Sequence, residues 1–82
     1  MQIRQGYQAN WNGLAFTVET DSNGWAVRIQ DSTRRELYRA HRLGPQAAQL
    51  AAAEYAIFSV LGPASTVSAG RLARELHWQT CW

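Results

Sequence analysis

The chain predicts an α+β fold in a single domain spanning residues 1–82. It reads as a three-stranded antiparallel meander, four-stranded if the N-terminal segment joins, covered on one face by a long helix and followed by a short C-terminal helix. The expected order is β-β-β-α-α. Three observations predict it. Two runs of strict apolar/polar alternation flank an Asn-Gly dipeptide, a third extended run follows, and an alanine-rich segment between Gly44 and Gly62 carries helix punctuation at both ends.

Residues 1–13 are the least patterned. Ile3, Tyr7 and Trp11 are spaced by four, but Gly6, Asn10, Asn12 and Gly13 argue against a helix, so a short edge strand or an ordered arm is expected. Leu14 to Thr20 alternates, with Leu14, Phe16 and Val18 on one face and Ala15, Thr17 and Glu19 on the other. Asp21-Ser22-Asn23-Gly24 then supplies hairpin chemistry, because Asn-Gly tolerates positive φ. Trp25 to Asp31 alternates again, placing Trp25, Val27 and Ile29 inward and Ala26, Arg28 and Gln30 outward. The polar turn Ser32-Thr33-Arg34-Arg35 leads to a third strand, Glu36 to Leu43. Its phase follows from cost: facing Tyr38 and Ala40 inward leaves Arg39 and His41 in water, whereas the opposite phase buries both without partners.

The long helix starts at Pro45, whose missing N–H costs nothing at a first helical position, and stops at Gly62-Pro63. At 100° per residue, Leu50, Ile57 and Leu61 share one stripe, with Phe58 and Val60 on its flanks. Ala48, Ala52, Ala56 and Ser59 form a small-residue surface roughly opposite. The expectation is that the sheet covers the large stripe. The alanines at 48, 52 and 56 would then make a homodimer contact, since closed two-fold pairing is common among small proteins. The segment is no membrane span, which needs about 20 apolar residues; Gln46, Gln49 and Glu54 interrupt it. A second helix is expected from Val67 to about Trp78, with Ser68 as N-cap, Ala69, Leu72, Ala73 and Leu76 inward, and Arg71, Arg74, Glu75, Trp78 and Trp82 outward.

Composition narrows the chemistry. Net charge is only +2, so charge alone is no argument for a polyanion partner. All eight basic residues are nevertheless arginine, whose planar fork matches phosphate and carboxylate and stacks on aromatic rings; a GC-rich genome produces the same bias. Cys81 is the single cysteine, which excludes an intramolecular disulfide and a cysteine-based metal site and suits a reducing compartment. No apolar signal-peptide core follows the N-terminus, so a cytoplasmic location is expected. His41 and His77 stand alone in sequence, without the spacing that aims two imidazoles at one metal. No phosphate loop, nucleophile-and-base pair or cofactor motif is present, so neither catalytic residues nor a cofactor are expected. Glu54 falls among Leu50, Ile57, Phe58 and Leu61. It is read as a rim carboxylate paired with Arg42 or Arg4 and not as a catalytic acid.

Two surfaces remain as binding candidates. Arg71, Arg74, Trp78 and Trp82 combine residues that dominate protein–protein hot spots, and Arg74 and Trp78 stand at helical i,i+4 spacing. Arg28, Arg34, Arg35, Arg39 and His41 belong to the outer sheet face and its adjoining turn, where they would track phosphates or pair with acids such as Glu19. The first expectation is therefore a non-enzymatic, self-associating module that binds a protein partner, for instance a stoichiometric inhibitor such as a phage-encoded blocker of a host nuclease complex. The second is a nucleic-acid-binding regulator using the arginine-bearing sheet face.

Overall fold

The computed structural model describes residues 5–80. The elements run β1 (Gly6–Trp11), β2 (Leu14–Asp21), β3 (Gly24–Gln30), β4 (Glu36–Arg42), α1 (Pro45–Leu61), α2 (Ala69–Glu75) and β5 (Gln79–Thr80). The strands form one antiparallel sheet in the order β4-β3-β2-β1-β5. The fold is α+β, and the meander has four main strands, with the N-terminal segment supplying the first.

Each connection has a local cause. β1 and β2 are joined by Asn12-Gly13, both at positive φ (55° and 81°), the geometry of a two-residue hairpin turn. In the β2–β3 hairpin Asp21 faces Gly24, so Ser22 and Asn23 are the central residues. The Asp21 carboxylate accepts the Asn23 N–H at 2.9 Å. Positive φ falls on Gly24 (140°) and not on Asn23. Between β3 and β4 the Asp31 carboxylate organises the turn, accepting from Thr33 N (2.9 Å), Thr33 Oγ1 (2.6 Å) and Arg35 N (3.0 Å).

The inner sheet face presents Phe16, Val18, Trp25, Val27 and Ile29, all buried. α1 lies over β2, β3 and β4 and packs against α2. Its direction of facing departs from the sequence expectation. Ala48, Ala52 and Ala56 are 0% exposed and, with Ala51, Ala53 and Ile57, form the side turned into the core. They belong to the chain's own interior and offer no homodimer contact. Leu50, Phe58 and Leu61 point the other way, exposed to 37%, 62% and 45%. The reason is space: large side chains already fill the sheet's inner surface, so the helix backbone approaches closely only where its own side chains are small. Ile57 alone among the three residues of the expected stripe is buried.

α2 begins as expected, with Ser68 accepting the Arg71 N–H at 3.3 Å, but it ends at Glu75. Leu76 is extended (φ −65°, ψ 139°), and Gln79-Thr80 then pairs with Gln8-Tyr7 of β1. The expected helix to Trp78 is therefore cut short because the chain is drawn back into the sheet, and β1 is an inner strand and not an edge. Among the described residues no helix is long and apolar enough to cross a membrane.

Candidate functional site

The helical layer carries a cleft of 520 Å³ lined by Gln46, Gln49 and Leu50 from the first turns of α1, Gly70, Ala73 and Arg74 from α2, and Trp78. Its placement follows from the abrupt end of α2. Because Leu76 leaves the helix, Trp78 turns back; its indole Nε1 donates to the Ala73 carbonyl at 2.9 Å, satisfying one of the carbonyls that a helix C-terminus leaves open. The same ring meets Phe16 at a centroid distance of 6.2 Å. Trp78 is thus half core plug and half cleft wall. It and Arg74 share the cleft, but not through the i,i+4 helical stacking expected, since Trp78 is no longer on the helix.

Arg71 bridges Glu75 at 2.8 Å, whereas Arg74 makes no ion pair among the described residues. Trp82 lies outside the described residues, as do Cys81 and Arg4. Gln46 and Gln49 were not singled out from sequence as site residues; their i,i+3 spacing beside Leu50 is the signal that places them on one wall.

Beyond the cleft, the outer surface of α1 continues through Leu50, Glu54, Phe58 and Leu61, which share one side of the helix. Phe58 and Val67 (47% exposed) line a second, smaller depression with Glu54, Pro63 and Ser65. Glu54 is exposed and has no ion-pair partner among the described residues. The expected bridge to Arg42 does not form; Arg42 Nη1 donates to the His41 carbonyl instead, at 2.7 Å.

The opposite, uncovered sheet face is polar. Successive strand registers align one row across it: Gln79, Gln8, Thr17, Arg28 and Arg39. Arg28 and Arg39 line a depression of 190 Å³ together with Thr17, Glu19 and Ala26. Arg39 donates from Nε (3.1 Å) and Nη2 (2.9 Å) to Glu36. Arg28 makes no ion pair among the described residues, including the Glu19 pair considered from sequence, and its Nε is shut from solvent with no hydrogen-bond partner.

The other residues keep their expected places, His41 on this same face opposite Ala26 and Arg34 and Arg35 in the adjoining turn, but none of the three lines the depression. His41 stands at the hairpin end, bonded to Asp21 at 3.0 Å. That bond, then the Asn23 N–H, holds the Asp21 carboxyl below its ordinary range. Arg34 and Arg35 occupy the turn at the other end, exposed, Arg34 with φ 66°.

Among the described residues no group of three or more His, Cys, Asp or Glu side chains is placed to hold a metal ion. The chain matches no protein-family model, no curated protein and no solved structure.

Proposed function

We propose that the chain is a non-enzymatic interaction module that binds a protein partner through its helical layer. The observation carrying this reading is the outward turn of α1, which leaves Leu50, Phe58 and Leu61 in solvent while alanines fill the core. Scattered exposed apolar residues are ordinary, but a run along one helix side continuing into a cleft is a feature of interaction surfaces. Fully covering a side chain of this kind contributes about 1.5–3 kcal/mol. Trp78 and Arg74 at the cleft are the residue types that concentrate binding energy.

The charge pattern favours a foreign protein over a second copy. Two-fold pairing centred on the α1 stripe brings two Glu54 carboxylates together, and juxtaposed like charges oppose association. Arg74, without an acidic partner among the described residues, instead suits a segment with an apolar face and an acidic residue at its end. Acting by occlusion, as a stoichiometric inhibitor does, requires nothing further of the molecule.

The test is a photo-crosslinking amino acid at position 58, activated in host cells and followed by nuclease treatment. The expected product is one defined heterologous protein, lost with Leu50→Glu or Leu61→Glu variants whose thermal unfolding is unchanged. Crosslinks to the chain's own copies alone, or capture indifferent to these substitutions, overturn the reading.

A further inference from the structure

We propose that the uncovered sheet face holds a seat for a single phosphate group between the guanidinium groups of Arg28 and Arg39, with the Thr17 hydroxyl and the Gln8 carboxamide in the same row. This goes beyond the helical-layer reading and does not depend on it.

Four observations converge. Arg28 and Arg39 are direct cross-strand partners, and like charges so placed destabilise a sheet unless something of opposite sign sits between or beside them. Glu36 answers Arg39 through its Nε and Nη2, leaving Nη1; no acid answers Arg28, whose Nε lacks any partner. An unmet charged donor is a cost that a bound oxyanion removes, once a side-chain rotation at this partly exposed position brings the fork to it. Guanidinium forks take tetrahedral oxyanions in a bidentate way. The depression, at 190 Å³, has room for about six waters at ~30 Å³ each, so a phosphate enters with part of its hydration. Finally, the row of Gln8, Thr17, Arg28 and Arg39 contains no aromatic ring on which a base would stack, so recognition there is of the anion itself.

Glu19 is the carboxylate in the lining. It repels the ligand and competes for Arg28, which keeps affinity low and gives the proposal a signature: removing this acid should tighten binding, an effect unrelated to stability.

The experiment follows the arginine Nε–Hε NMR signals of the intact chain during titration with inorganic phosphate and, separately, with a short DNA duplex, at fixed ionic strength. The Arg28 signal is expected to shift saturably, well before the exposed Arg74. Glu19→Gln should tighten phosphate binding and Arg39→Gln weaken it, each by about two- to fivefold, as for an exposed charge pair. Arg28→Lys, which keeps the charge but removes the fork, should abolish saturation of the Arg39 signal. Response to free phosphate alone assigns the seat to a small phosphate. Tighter duplex binding, whose salt slope drops by ~0.9 in Arg39→Gln, assigns it to a phosphodiester. An Arg28 signal that moves no earlier than that of Arg74, or phosphate binding unchanged by Glu19→Gln, overturns the proposal.

Discussion

Tyr38 and Tyr55 stack with ring centroids 4.6 Å apart and planes 17° from parallel. The pair joins β4, the sheet's uncovered edge, to the middle of α1. β4 has only β3 as a strand neighbour, so this stack and the His41–Asp21 bond to β2 add to what its strand pairing supplies. Stacked aromatic pairs contribute about 0.5–1.5 kcal/mol beyond area burial, and that is the coupling expected from a Tyr38→Ala, Tyr55→Ala double-mutant cycle in urea. Additive single losses would mean that the rings are adjacent without holding the strand.

The second prediction tests which way α1 faces. Ala52 is 0% exposed, against the sheet side, so Ala52→Glu places an uncompensated charge in the core at a cost of about 3–5 kcal/mol. That is a large part of the ~5–15 kcal/mol typical of whole domains, and the variant should be unfolded or nearly so by circular dichroism. Phe58→Glu, on the opposite side, should stay within about 0.5 kcal/mol of wild type. A folded, soluble Ala52→Glu chain would show that the large apolar stripe, and not the alanine side, meets the sheet.

This inversion marks what was legible in the sequence. Strand positions declare themselves by alternation: Phe16/Val18 and Val27/Ile29 are all 0% exposed, and the phase of β4 follows from the cost of burying Arg39 and His41. α1 is apolar on nearly every side, so its periodicity contains no direction. The deciding quantity is the room left over by Phe16, Trp25 and Tyr38, which only the assembled sheet defines. The hairpin between β1 and β2 was legible in Asn12-Gly13 but is overlooked if those residues are weighed only as helix breakers. Trp78 is different in kind: its place depends on Gln79-Thr80 finding β1, a pairing 71 residues distant in register (Tyr7 with Thr80 closes 73), and two residues of strand announce nothing locally. The candidate site was legible as Arg74 and Trp78, while its other wall waited on the helix orientation.

A third prediction concerns pH. The Thr33 hydroxyl, and then the Arg35 N–H, hold the Asp31 carboxyl below its ordinary 3.8. A depressed folded-state value means the ionised form stabilises the fold; that contribution is complete above the unfolded value and is lost as pH falls through the folded one. Asp31→Asn should therefore lower Tm by a constant amount from neutral pH down to about 4, with the gap to wild type closing below. A gap that persists undiminished in acid would assign the loss to turn geometry and not to charge.

The last prediction compares two glycines. Gly13 and Gly24 both lie at positive φ, 81° and 140°, so alanine is conformationally strained at either. Their surroundings differ. A Cβ on Gly13 meets nothing within 4 Å, whereas one on Gly24 would stand 2.6 Å from the Arg42 carbonyl oxygen and 3.1 Å from His41 Cε1. Gly13→Ala should cost about 1–2 kcal/mol, the penalty of a left-handed L-residue. Gly24→Ala carries backbone strain of about 1–3 kcal/mol and must also push β4 away from β3, because the obstructing atom is backbone. For a chain of this size each kcal/mol lowers Tm by about 4–8 °C, so the two variants should separate clearly in a thermal scan. Hydrogen exchange supplies the discriminating readout: Gly24→Ala should speed exchange in β4 ahead of global unfolding, while Gly13→Ala leaves β4 protected. Equal losses with β4 protected in both variants would mean that the β3–β4 ends are not held as closely as the 2.6 Å approach requires.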